Sequence, residues 1–281
     1  MSFHAKPNIY PGEINLKVAD LNLAIRFYEE VIGFIVIDRS NSRVVLSADG
    51  KTPLLSLERP EHVTPRDRHT TGLYHFALLL PQRSDLADIV NHFIKIGLPI
   101  GSSDHLVSEA LYFSDPDGNG IEIYADRPPS EWTWQGTEVQ MTVDPLDFKD
   151  LLSKSRGEWK GLPAGTVMGH VHLHVAELQE TEEFYTKGLG FEAVSHLGSQ
   201  ALFVSTGKYH HHLGLNTWAG EGAPAPAETS TGLNWYTLIF PGTEALEQAV
   251  ERLRNLGASV EKKEQMYITH DPSSNKIHLI V

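Results

Sequence analysis

The chain has 281 residues, 41% hydrophobic and 21% charged, enough for two ordinary domains or one duplicated architecture with a sizeable core. A formal net charge of −13 speaks against nucleic acid and anionic membranes as partners. The absence of cysteine excludes disulfides and thiolate metal sites, so any metal must rest on His, Asp or Glu.

The polar start MSFHAKPNIYPGE has no apolar signal region, and no apolar run reaches membrane-spanning length, so a soluble cytoplasmic protein is expected. Residues 12–34, GEINLKVADLNLAIRFYEEVIGF, read as an alternating strand followed by a helix. Asp20 can cap that helix, Ala24, Phe27, Tyr28 and Val31 recur at helical spacing, and Gly33 ends it. A second strand, TGLYHFALLLP (71–81), leads to a helix near SDLADIVNHFIKIG that ends at Gly97, and the unit closes on DPDGNGIEIY (115–124). From about 126 to 165, Pro, Trp and Gly clusters break the pattern around one short helix, DFKDLLSKS. This stretch reads as a connector.

The pattern then starts again. GHVHLHVAELQETEEFYTKGLGF (169–191) matches 12–34, TGLNWYTLIFP (231–241) matches 71–81, and DPSSNKIHLI (271–280) matches 115–124. A helix near TEALEQAVERLRNLG ends at Gly257, and the irregular AGEGAPAPAETS (219–230) looks like a mobile surface loop. The chain is thus four βαβββ modules in the order A-B-A-B, an α+β protein. The expected halves are 9–126, with modules one and two, and 166–281, with modules three and four, joined by the connector 127–165.

The layout, the FYxxxxGF helix end and DPDGNxIE resemble the vicinal-oxygen-chelate superfamily of glyoxalase I, the fosfomycin- and bleomycin-resistance proteins and the type I extradiol dioxygenases. The four-module size is similar to the ring-cleaving members, in particular catechol 2,3-dioxygenases of the bacillus type. The resemblance implies two barrel-like cups, each made of two paired modules. It also implies a metal ligand at one position in the first and one in the last strand of a module. On this chain the first-strand positions are Glu13, His75, His170 and Trp235; the last-strand positions that can be located are Glu122 and His278. The 2-His-1-carboxylate set that results is His75, Glu122 and His170, a donor set suited to Fe(II) with open positions for substrate and O2. Mn(II) is an alternative. In GHVHLHV the histidines share one face and Val171, Leu173 and Val175 the other. If modules pair in sequence order, His170 is separated and Glu13 replaces it. If module two pairs with three, and one with four, the set assembles, and this arrangement is the expected one.

The resemblance further implies catalytic groups beside the metal. Tyr112 fits the family's tyrosine and His105 its second-shell histidine, though two residues nearer than in the pattern. In KYHHHLGLNTW the motif spacing favours His211 as acid/base and strand alternation favours His212; both are kept. His172, Asn216 and Trp218 are placed to line a substrate pocket. The implied reaction opens an aromatic diol with O2 outside its two hydroxyls, giving a semialdehyde; a hydroquinone substrate is compatible with the same ligands. The rivals are a glyoxalase-type isomerase or thiol transferase, which commonly adds a fourth ligand near Leu213–Leu215, and a non-catalytic binding protein. Homo-oligomers are compatible with either reading.

Overall fold

The computed structural model describes residues 2–281. Module one comprises β1 (Tyr10–Lys17), α1 (Leu21–Arg26), β2 (Ile35–Arg39), β3 (Arg43–Ser47) and β4 (Leu55–Glu58). Module two comprises β5 (Gly72–Leu79), α2 (Arg83–Ile96), β6 (Gly101–Asp104), β7 (Ser108–Ser114) and β8 (Gly120–Asp126). The connector carries β9 (Trp134–Gln135), β10 (Glu138–Val139) and α3 (Phe148–Leu152). Module three is β11 (Val167–His174), α4 (Gln179–Glu183), β12 (Glu192–Leu197), β13 (Ala201–Ser205) and β14 (Leu213–Asn216). Module four is β15 (Gly232–Ile239), α5 (Thr243–Asn255), β16 (Val260–Lys263), β17 (Met266–His270) and β18 (Lys276–Ile280). None of the helices is long and apolar enough to cross a membrane among the described residues.

The strands form two eight-stranded sheets. One has the order β12-β13-β14-β11-β5-β8-β7-β6 and contains modules three and two. The other, β16-β17-β18-β15-β1-β4-β3-β2, contains modules four and one. The inner modules therefore share one cup and the outer modules the other. In each cup the first strands of the two modules pair antiparallel at the centre, β11 with β5 and β15 with β1.

Alternation decides what each face carries. On β11, Val171, Leu173 and Val175 join the core shared with the helices, as do Phe76 and Leu78 of β5 and Ile121 and Ile123 of β8. Burying these side chains, at roughly 1.5–3 kcal/mol each, sets the register of the cup. The opposite face is left for polar residues. Two bulges modify the alternation. His172 faces His75 and Leu173 faces Leu73, so Tyr74 is an extra residue on β5; Gly169 is the corresponding extra residue on β11. Because of its bulge, Tyr74 lies on the cup side together with His75 and contacts the rings of His172 and Trp218.

The most specific repeat motifs meet in space. Asp20 caps α1 by accepting from the amides of Asn22 and Leu23. The helices of modules one and three then widen into π-helical turns, Phe27–Ile32 and Phe184–Leu189. From these turns Tyr28 donates to Asp115 at 2.8 Å and Tyr185 to Asp271 at 3.0 Å. Asn119 and Asn275 hold the same two carboxylates. The FY and DPxxN motifs thus fasten each A module to the B module that follows it. The 219–230 segment is a surface loop tied by Gly222 N–H to Ala176 O, Thr71 N–H to Pro224 O, Thr64 N–H to Thr229 O and Lys17 Nζ to Glu228 O.

β8 can approach β5 closely because residue 120 lacks a side chain. A Cβ there would lie 2.2 Å from the Tyr74 carbonyl oxygen and 2.9 Å from the His75 Cβ. Gly120→Ala is expected to cost about 1–3 kcal/mol and to displace His75, lowering the urea midpoint and the metal content together. An unchanged midpoint would show that the strands part freely at this point.

Candidate metal centre

Three neighbouring strands build the cluster. Ala77 of β5 faces His170 of β11 on one side and Glu122 of β8 on the other. With strands about 4.8 Å apart, His170 and Glu122 stand about 10 Å apart across the row. The small side chain of Ala77 leaves open the space between them. His75, two residues earlier on β5, leans into this space from the same face. His75 Nε2 and His170 Nε2 each lie 3.0 Å from Glu122 Oε2, and the two nitrogens are 3.3 Å apart. Among the described residues this is the only group of three or more such donors that converges within 4.8 Å. Three donors on one face of an octahedron, with bonds of about 2.1 Å, sit about 3 Å apart. The cluster has that shape, and the metal and its ligands fit each other.

Electrostatics keeps Glu122 and His170 in the ligating form. Burial pushes Glu122 up, but His170 and His75 outweigh it and hold the carboxylate well below its usual range. Burial lowers His170, against the pull of Glu122, and keeps its imidazole neutral. His170 Nδ1 is buried without a partner, while its ring packs on Tyr124 and His211.

The other expected residues divide. His211 lies in the cup with its ring centroid 4.2 Å from that of His170. His212 does not. It packs on His4 and Tyr209, and its Nε2 meets the Phe3 carbonyl at 3.2 Å. The alternation that favoured His212 fails because β14 begins only at Leu213. The residues before it form a turn, with Lys208 at φ 59°. Asn216 and Trp218 are where alternation puts them. Asn216 Nδ2 donates to His172 Nε2 at 2.9 Å, and its Oδ1 accepts from His174 and from the Trp218 amide. Trp218 stands at the mouth, 5.2 Å from the Tyr74 ring and 5.4 Å from His172. Gly214 is required beside His172, since a Cβ there would lie 2.8 Å from its ring.

His105 and Tyr112 form a pair on the other side of the cup. His105 Nδ1 lies 2.6 Å from the Thr142 carbonyl, which only accepts, so Nδ1 carries the proton. In the neutral ring Nε2 is then the acceptor for the Tyr112 hydroxyl 2.6 Å away. Tyr112 sits directly opposite Glu122 in the sheet. Burial and the neighbouring Glu122 carboxylate push the Tyr112 hydroxyl well above its usual range, so it stays protonated. Sequence patterns did not reveal Thr142, Ala77 or Tyr74. Thr142 acts through a backbone carbonyl that leaves no mark in sequence. Ala77 was visible only as the small residue two places after His75.

In the outer cup, Glu13, Trp235 and His278 occupy the corresponding positions. The Trp235 ring stacks on His278 at 4.4 Å. Burial pushes Glu13 up, opposed by Ser56 and by Arg43 at 3.7 Å.

Several buried histidines give the metal-free protein an acid weakness. Burial lowers His4 to about 4, lowers His170, and holds His172, His211 and His212 well below their usual range. The unfolded chain therefore binds more protons below pH 6.5, and stability falls as pH drops through that window. His174, His270 and His278 are lowered as well, and the raised carboxylates that work in the opposite direction, Asp271 at about 6 with Glu13, Asp85, Asp115 and Asp117, are fewer. The urea-unfolding free energy is expected to be lower at pH 5 than at pH 7 by at least about 2 kcal/mol. A constant value would mean that these imidazoles are already solvated.

Comparison with known proteins agrees with this geometry. A catechol-2,3-dioxygenase of Bacillus subtilis is 45% identical over 97% of this chain and 96% of its own length. A metapyrocatechase of a Pseudomonas species is 24% identical, covering 74% of this chain and 70% of its own. The crystal structure of glyoxalase I from Zea mays superposes with a TM-score of 0.59 at 17% identity, covering 97% of this chain and 92% of the maize chain, a likeness of fold. The Glyoxalase/Bleomycin resistance protein/Dioxygenase superfamily matches residues 11–123 and 167–279, and the chain belongs to that family.

Proposed function

We propose that the protein is an extradiol dioxygenase that opens a catechol-type ring with O2 at an Fe(II) held by His75, Glu122 and His170. The observation that carries the reading is the set of three buried donors with 3.0–3.3 Å edges, sharing one cup with His211 and Tyr112. The relative at 45% identity is itself named a catechol-2,3-dioxygenase. Bound there, Fe(II) would supply the Lewis acidity that gathers the diol oxygens and the electrons needed to engage O2.

The protein side chains do the rest. Two neutral imidazoles and one carboxylate leave a divalent ion with one net positive charge, which matches a singly deprotonated diol. His211, neutral in its buried setting, takes a hydroxyl proton and later returns it. Tyr112, anchored by His105, borders the oxygens on the opposite side. The rings of Tyr74, Trp218, His172 and Phe203 pack edge to face in a continuous aromatic cluster beside His75. Gly214 stands where a four-ligand isomerase would place its fourth donor, and the His172 ring takes up its side-chain space.

The test is anaerobic loading with Fe(II), removal of excess metal, then addition of a catechol and air. A yellow semialdehyde with matching O2 uptake is expected. Failure to open any of a panel of catechols and hydroquinones would overturn the reading.

A further inference from the structure

His211 is joined to a chain of buried and half-buried polar groups. His211 Nδ1 lies 2.8 Å from His210 Nδ1, and His210 Nε2 lies 2.8 Å from Asp126 Oδ1. Asp126 also accepts from the Tyr209 hydroxyl at 3.3 Å, which is in turn 2.7 Å from that of Tyr124. His210 is fully buried, with Trp132 edge-on at 5.2 Å. Counting protons fixes the order. A carboxylate only accepts, so His210 Nε2 carries a proton. A neutral His210 then has a bare Nδ1, and the proton between the two Nδ1 atoms belongs to His211. His211 is left with a bare Nε2.

We propose that Asp126 and His210 are positioning residues that hold His211 in its Nδ1–H tautomer, so that Nε2 is the nitrogen that accepts the substrate's hydroxyl proton. The inference rests on the dioxygenase reading. In the step it serves, the proton passes from a diol oxygen to Nε2 and the oxygen keeps the bonding electron pair. The Nδ1–H bond to His210 is kept throughout, and Asp126 supplies the balancing negative charge through that ring. The logic is that of any imidazole base whose tautomer is set by a carboxylate on its far side.

The test reads the tautomer directly, by long-range 1H–15N correlation of the histidine rings in the metal-free protein at neutral pH. The His211 resonances are assigned by their loss in a His211→Asn variant. The expected wild-type spectrum has a protonated Nδ1 and a bare Nε2 on His211. In Asp126→Asn the new amide can donate to His210 Nε2, and the order reverses, so that His211 carries its proton on Nε2. The Fe(II)-loaded Asp126→Asn enzyme should then lose about 10²- to 10⁴-fold in kcat, with KM for the diol changed less than about threefold. Asp126→Glu, which keeps the carboxylate, should recover the wild-type tautomer. A wild-type His211 found as the Nε2–H tautomer, as a cationic His210 would produce, overturns the proposal. So does an Asp126→Asn enzyme with wild-type kcat. The wild-type spectrum, assigned with His211→Asn, decides the tautomer even if Asp126→Asn fails to fold. If wild type opens no diol ring, the functional reading falls while the spectrum still reports on the relay.

Discussion

Glu122→Ala, loaded anaerobically with Fe(II) and passed over a desalting column, is expected to emerge without stoichiometric metal and without ring-cleaving activity. Glu122 is the only charged member of the cluster and is 2% exposed. Removing it leaves two neutral imidazoles to hold a divalent cation in a buried site, where an uncompensated charge is costly. Loss of an outer-sphere partner alone typically weakens a metal site by 10- to 100-fold, so loss of a ligand should cost at least about 100-fold. Glu13→Ala is the matching control. Glu13 holds the position in the outer cup that His170 holds in the inner one, but the groups acting on it are Ser56 and Arg43, and the Trp235 and His278 of that cup stack on each other. Its removal should leave metal content unchanged. Retention of metal by Glu122→Ala, or its loss in Glu13→Ala, would show that the metal is elsewhere.

Much of this architecture was legible in the sequence because repetition carries information that a single strand does not. One histidine in a strand means little. Four aligned modules show which positions face a cup, and the matching of 12–34 with 169–191 fixes His170 and Glu13 as equivalents. Pairing of module two with module three followed from asking which arrangement brings two histidines and a carboxylate together, and the sheet order has that pairing. The bulges were not legible. Strict alternation puts Tyr74 and His75 on opposite faces, whereas the extra residue turns both into the cup. A bulge is a two-strand property, and no single-strand pattern announces it. The same limit left His211 and His212 both open, because strand alternation does not extend across the turn before Leu213. The role of the connector was also hidden. Its Thr142 carbonyl sets the tautomer of His105, and Trp132 packs on Tyr209 and His210. These are tertiary contacts made by residues that read as linker.

His211→Asn should separate chemistry from metal binding. His211 is not among the three converging donors, so Fe(II) content is expected to match wild type. Its ring lies 4.2 Å from that of His170 and is neutral because burial holds it well below the usual imidazole range. Asparagine is smaller, is held in the same turn and cannot take up a proton near neutral pH. A general base typically contributes 10²- to 10⁴-fold, and kcat should fall by about that factor. KM for the diol should change little, since the role tested is proton transfer in the chemical step. The sign of the pH effect follows from the depressed pKa. A base held below its usual range keeps its accepting form as pH falls through 6.5, so wild-type turnover by metal-loaded enzyme should stay level from pH 8 to below 6.5. His212→Asn makes the comparison sharper. His212 is buried against His4 and Tyr209, so its loss should appear in the urea midpoint and leave kcat in place. If His212→Asn lost turnover and His211→Asn kept it, the acid/base assignment would have to be exchanged, and with it the meaning of the turn that sets His211 against His170.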